Sequence, residues 1–238
     1  MHLYILEPRL ERHAGLTAEL ASARLVAVPI DESFFRRDLG LLLQGGAQGR
    51  PFLLSVAAPE VAGHVRALRA AGCMNPVLTM RDMRNSAHAA ALLDAGADDD
   101  LVVPIKAQEL RSRIHAIQRR ASGHAAESLQ LGEVTAFFDG RDPEVAGQRI
   151  KLSRREHAIF HHLALNAEKV VSKAAIYDAV YGMAEAQPFD KVIDVYICKI
   201  RKKIDAAAET GRQYIETVHG RGYKLSSGMP LDGCAAAV

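Results

Sequence analysis

The chain has 238 residues, of which 49% are hydrophobic and 5% aromatic, with no tryptophan and a formal net charge of +2. That length suits two domains of about 100–120 residues with aliphatic cores, and the near-balance of charge excludes a uniformly basic coat, so any cationic signal must be local. No run reaches membrane-spanning length, the start lacks the basic and apolar regions of a signal peptide, and three cysteines at unrelated spacings read as free thiols. The expectation is a cytoplasmic protein with no membrane partner.

Over the first 120 residues, strand-like apolar runs at 3–7, 24–29, 52–56, 76–80 and 101–104 alternate with helical patterns, the last from Ala107 to Arg120. Such alternation predicts an α/β domain with a five-stranded, doubly wound parallel sheet covered on both faces. Residues 122–128 are small and polar, which marks a linker between a domain at 1–121 and a second one at 129–226. The second opens with short β-like pieces from Leu129 to Ile150, turning at Asp139-Gly-Arg-Asp-Pro143 and Gly147. Ser153-Arg-Arg-Glu156 reads as a capping box for a helix to about Asn166. Ser172 caps a second helix ending near Gly182, and residues 227–238 read as a disordered tail. The second domain is thus expected to be α+β.

Residues 190–203 carry the sharpest signal. Ile193, Ile197, Ile200 and Ile204 recur at helical spacing and predict a buried seam. Lys191, Asp194, Tyr196, Lys199, Arg201, Lys202 and Lys203 fall largely off it. A free face of cations, an acid and a phenol suits a DNA major groove, where cations hold phosphates and one or two side chains read base edges. Two β-prone runs follow, Tyr214–Val218 and Tyr223–Leu225, around His219-Gly-Arg-Gly222. They predict a hairpin with Arg221 at its tip, free to enter a minor groove. A basic helix followed by such a hairpin describes a winged helix.

Leu152-Ser-Arg-Arg-Glu156, Ile193-Asp-Val-Tyr-Ile-Cys-Lys-Ile-Arg-Lys-Lys203 and Ile215-Glu-Thr-Val-His-Gly-Arg-Gly-Tyr223 resemble the winged-helix effector domain of the OmpR/PhoB class of bacterial response regulators. The likeness is strongest to the cell-cycle and flagellar regulators of α-proteobacteria. Gly96-Ala-Asp-Asp99 and Glu109–Arg120 resemble the end of the receiver domain that precedes it. The resemblance implies a transcription regulator and no enzyme. Its partners would be double-stranded promoter DNA, bound as a dimer on repeated half-sites, and RNA polymerase, reached through residues 182–189. Asp194 and Lys199 match base-reading positions, Val195 would touch a thymine methyl, Tyr196 and Arg201 match phosphate contacts, Lys202 and Lys203 lie near enough to add charge, Lys191 belongs to the DNA-binding set, and Arg221 matches the wing residue.

A working receiver needs an acid pair for Mg²⁺, an acceptor aspartate, a hydroxyl residue and a lysine. The matching positions here hold Glu7 and Pro8, Ser55, Arg81 and Val103. Ser55-Val-Ala-Ala-Pro-Glu-Val-Ala-Gly63 keeps the frame around the acceptor without its carboxylate. The expectation is a degenerate receiver that acts independently of phosphorylation. It would form a homodimer through the family's fourth helix, fifth strand and fifth helix, using Asp98 or Asp99 with Glu109, Arg113 and Arg120.

Two other readings stay open: a phosphotransfer-competent receiver whose acceptor lies elsewhere, with Asp82 nearest, and an interaction module acting through RNA polymerase without reading DNA. No cofactor or metal is expected. His157 and His161 have the spacing of a ligand pair but lack further ligands nearby, and Asp98–Asp100 read better as a strand entrance.

Overall fold

A computed structural model describes residues 1–23, 25–37, 39, 50–57, 60–181 and 191–229. The chain divides into two compact units, Met1–Ala121 and Ser122–Val238. The expected polymerase-contacting segment 182–189 and most of the expected tail lie outside the described residues. No described helix is long and apolar enough to cross a membrane.

The first unit is a five-stranded parallel sheet. Its strands are β1 (His2–Leu6), β2 (Val26–Pro29), β3 (Phe52–Ser55), β4 (Val77–Arg81) and β5 (Asp99–Val102). Their spatial order is β2-β1-β3-β4-β5. The helices are α1 (Leu10–Ser22), α2 (Val61–Ala70), α3 (Ser86–Asp94) and α4 (Ala107–Ala121). Every residue of β3 and β4 is buried, as a sheet covered on both faces requires, the polar Ser55, Thr79 and Arg81 included. Alternation sorts the strands' side chains: Tyr4, Leu6, Phe52 and Leu54 enter one apolar cluster, whereas Leu3, Ile5, Leu53, Leu78 and Met80 enter the other. In such a doubly wound sheet, functional groups gather past the carboxyl ends of the strands. Glu7, Ser55, Arg81 and Val103 all lie there, at or just past the ends of β1, β3, β4 and β5.

The second unit begins with a four-stranded antiparallel sheet, β6 (Ser128–Leu131), β7 (Val134–Phe137), β8 (Glu144–Val145) and β9 (Gln148–Arg149). Three helices follow: α5 (Arg154–Leu165), α6 (Lys173–Tyr181) and α7 (Lys191–Asp205). The hairpin β10 (Gln213–Val218) and β11 (Gly222–Met229) closes the unit. The capping box forms: Ser153 Oγ accepts from the Glu156 amide, and Glu156 Oε2 accepts from the Ser153 amide at 2.7 Å. The isoleucine seam of α7 is at most 1% exposed and packs into one core with α5, α6 and the hairpin. β11 continues through Ser227, Gly228 and Met229, three residues that composition alone assigns to a tail. Pairing with β10, whose register ends at Gln213 opposite Met229, extends the strand.

Gly222 shows why the hairpin sits where it does. Its φ is 137°, and an added Cβ would lie 2.0 Å from the Val171 carbonyl oxygen. Tyr223 exchanges two backbone hydrogen bonds with Val171 beside it, at 2.8 and 2.9 Å. Only glycine allows the hairpin this approach to the start of α6.

Candidate nucleic-acid interface and receiver pocket

The outward face of α7 is narrower than its polar residues imply. Val195 is 51% exposed, and Cys198, Lys199 and Lys202 are exposed with it. These positions recur at helical spacing and form one stripe opposite the isoleucine seam. The Lys199 ammonium lies 5.7 Å from the Tyr196 ring centroid, and Lys202 has no protein partner among the described residues. Lys191 opens the helix. Arg221 is exposed at the hairpin tip, where its amide bonds to the Val218 carbonyl.

Other polar residues of α7 have partners within the unit. Asp194 accepts from Lys173 Nζ at 2.9 Å and from the Tyr223 hydroxyl at 2.5 Å. Burial opposes its ionisation, but these two donors outweigh that and hold its carboxyl below the usual range. Its carboxylate thus ties α7 to α6 and to the hairpin, which differs from the free base reader expected from position. Tyr223 is pushed up to about 12, by burial first and then by the Asp194 carboxylate. Arg201 donates from Nε to the Ile215 carbonyl and from a terminal nitrogen to Thr217 Oγ1, both at 2.8 Å. Its guanidinium lies 5.7 Å from the Tyr223 ring centroid, so it braces the hairpin before any phosphate contact. Lys203 is committed to Glu156 Oε2 and the Lys151 carbonyl, at 2.7 and 2.9 Å.

Tyr196 accepts from Arg155 at 3.2 Å. Hydrogen bonds from Tyr181 and Arg155 lower its phenol's pKa, while burial and Tyr196 push Tyr181 up to about 12. Arg155 and Lys173 therefore support the side chains of α7 from α5 and α6, which sequence reasoning missed. The first stood in plain view inside the capping box, where its neighbours drew attention to capping.

At the receiver pocket, an arginine absent from the sequence-based set dominates. Arg9 donates to both oxygens of Glu7 at 2.9 Å, to Ser55 Oγ at 3.3 Å and to Asp82 Oδ2 at 2.5 Å. Arg12 pairs with the other oxygen of Asp82. The Glu7 side chain is fully buried, and Ser55 is 0% exposed. Burial works against the Glu7 charge, but the hydrogen bonds from Arg9 bring its pKa below the usual value. Pro8 links Glu7 to Arg9. Asp82, the alternative acceptor, has both oxygens engaged by arginines.

Arg81 turns inward. It forms a two-pronged ion pair with Asp100 at 2.6 and 2.8 Å, with side-chain exposures of 3% and 8%. Thr79 Oγ1 donates to the same carboxylate at 2.5 Å. Val103 is buried at 7% exposure.

On the expected dimer face, Arg113 pairs with Asp99 at 3.0 Å and with Glu109 at 2.7 Å. Those two hydrogen bonds raise the pKa of Arg113, with Glu109 the stronger cause, although burial opposes them. Arg120 is exposed and bonds to the Ala116 carbonyl at 3.2 Å. Leu93 and Val102 add apolar surface to this region, each 45% exposed. Asp98 does not belong to that face. One of its oxygens accepts from Arg69 and from the Val77 amide, both at 2.7 Å, which pins the start of β5 to α2 and β4. Among the described residues, no group of three or more His, Cys, Asp and Glu side chains could hold a metal.

The family model described as "Transcriptional regulatory protein, C terminal" matches residues 147–225. The cell cycle response regulator CtrA of Brucella ovis is 38% identical over 175 residues, covering 73% of this chain and 75% of that protein. CtrA of Brucella anthropi is 37% identical over the same span. Among solved structures, the response regulator DrrB, a Thermotoga maritima OmpR/PhoB homologue, is 20% identical with a TM-score of 0.39, covering 94% of this chain and 98% of that one. The DNA-binding domain of CpxR from E. coli is 26% identical with a TM-score of 0.38, covering 44% of this chain and 100% of that one.

Proposed function

Because the chain belongs to the OmpR/PhoB class of response regulators, as a DNA-binding transcription regulator similar to CtrA, we propose that it binds promoter DNA as a dimer on repeated half-sites and without a phosphorylated aspartate. The observation that carries this reading is the division of labour on α7. Asp194, Arg201 and Lys203 are spent inside the fold, which leaves Val195, Lys199 and Lys202 as an outward stripe with Arg221 at the wing tip. In this reading Lys199 donates to guanine, Val195 touches a thymine methyl, and Lys191, Tyr196 and Lys202 serve phosphates, while Arg201 acts through the hairpin it braces.

Independence from phosphorylation is supported by the pocket. The acceptor position is Ser55, whose hydroxyl accepts from Arg9 and from the Ala57 amide. Arg81 is locked to Asp100, and Val103 offers no cation. The dimer is assigned to α3, β5 and α4, with Asp99, Glu109, Arg113 and Arg120 trading their present pairs for cross-subunit ones. Contact with RNA polymerase through residues 182–189 and control of flagellar or cell-cycle genes go with this reading as expectations from the class resemblance, the cell-cycle part also suiting relatives described as cell cycle response regulators.

Footprinting of genomic fragments with purified protein tests it. The expected result is protection of paired half-sites about one helical turn apart, weakened and relaxed at one base position by Lys199→Ala. A protein that protects no fragment at modest salt would leave the interaction-module reading in its place.

A further inference from the structure

The receiver fold implies a divalent cation held by carboxylates at the ends of β1 and β3. The residues present do not fit one. Glu7 is a single buried acid at β1, and both of its oxygens accept from Arg9. Asp82 has one oxygen on Arg9 and the other on Arg12. Ser55 contributes a neutral hydroxyl already engaged by Arg9. The two acids are matched by two guanidiniums, so the cluster carries no net charge. A hard dication needs free carboxylate or carbonyl oxygens and tolerates no neighbouring cation without compensation. Here the oxygens are taken and a cation already stands among them.

We propose that Arg9, with Arg12 behind it, is a built-in counter-ion that replaces a divalent metal in this receiver and permanently ties together the loop after β1, the end of β3 and the loop after β4. A single guanidinium reaches all three: Glu7 two residues before it, Ser55 at the end of β3 and Asp82 just past β4. Guanidinium suits the task. It is always charged, and its planar fork can satisfy several oxygen acceptors at once. Metal-dependent gating is therefore exchanged for a fixed arrangement of the three loops. This inference rests on the reading that the acceptor chemistry is gone. It goes further by naming what fills the site, and it concerns cation binding, which is measured separately from phosphoryl transfer.

The test is Mn²⁺ binding to the full chain, followed by the electron-spin resonance of the free ion and by the melting temperature with and without Mn²⁺. Wild type should show no saturable one-to-one binding in the millimolar range and no rise in melting temperature. Arg9→Ala/Arg12→Ala should gain one-to-one binding and a Mn²⁺-dependent rise, and adding Glu7→Gln should abolish both. Arg9→Gln, which keeps hydrogen-bond donors and drops only the charge, carries the gain-of-binding arm if the double variant does not fold. Saturable binding by wild type that Glu7→Gln removes would overturn the proposal, whatever the variants do. So would folded variants that take up no Mn²⁺. Either failure would leave the phosphorylation reading standing, because that reading is decided by labelling with acetyl phosphate.

Discussion

Lys199 and Arg201 sit two residues apart on α7 and should fail in opposite ways. Arg201→Ala removes two hydrogen bonds at 2.8 Å from a cation to the Ile215 carbonyl and Thr217 Oγ1, and its stacking over Tyr223. Hydrogen bonds from charged groups contribute about 1.5–3 kcal/mol each when buried. Arg201 is only partly buried, so the lower end applies, and the pair together should contribute roughly 2–3 kcal/mol. For a unit of this size that lowers the melting temperature by on the order of 10 °C. Lys199 is exposed and, among the described residues, its ammonium meets only the Tyr196 ring, at 5.7 Å, so Lys199→Ala should change stability by less than about 0.5 kcal/mol. Its loss should appear in binding, as about 1–3 kcal/mol at one base position, or roughly 5- to 150-fold. Arg201→Ala should weaken all sequences alike, through a loosened wing and any lost phosphate contact. Thermal melts paired with anisotropy titrations on an operator and its single-base variants separate the two. If Lys199→Ala melts early, or leaves base preference unchanged, the division of labour on α7 is wrong.

Three further outcomes are expected. Gly222→Ala would force a Cβ against the Val171 carbonyl, so the hairpin should detach from α6 at a cost above about 1 kcal/mol, read as faster hydrogen exchange at Tyr223; an unchanged amide there would refute the packing argument. Asp100→Ala would strand a buried guanidinium and should destabilise the receiver by about 3–5 kcal/mol, measured by denaturant titration; a loss under about 1 kcal/mol would show that the Arg81 pair is not held in the interior. Burial lowers His162 to about 4 from its ordinary 6.5. The unfolded chain therefore binds a proton that the folded one refuses between those values, and stability should fall as pH drops from about 6.5 to 4, by at most roughly 3 kcal/mol for this partly buried ring. His162→Gln should flatten the fall, and an equally steep profile in that variant would assign it elsewhere.

What sequence could reveal depended on how locally each feature is determined. The isoleucine seam, the capping box and the glycine hairpin are set by spacing over a few residues, and each was legible with its residues named. The alternating strands of the receiver were legible too, because a sheet covered on both faces requires unbroken apolar runs. Side-chain partners were not. Asp194 looks free on a helical wheel, yet Lys173 and Tyr223, 21 and 29 residues away, claim it. Asp98 and Asp99 are adjacent acids, and only the fold, which brings Arg69 of α2 to the turn before β5, sends one to Arg69 and leaves the other for Arg113. Arg9 is not legible in the sequence because a phosphorylation site is marked by carboxylates, a hydroxyl and a lysine, none of which points to an arginine. The cation that takes their place meets its farthest partner 73 residues along the chain.

The central claim is specific DNA binding by a receiver-bearing protein that no longer answers to phosphoryl chemistry. The most direct measurement is the affinity of purified protein for its footprinted operator at modest salt, with and without beryllofluoride and magnesium. The account predicts specific binding with the same dissociation constant in both conditions. Failure to bind any promoter fragment, or tighter binding once beryllofluoride and magnesium are added, would contradict it.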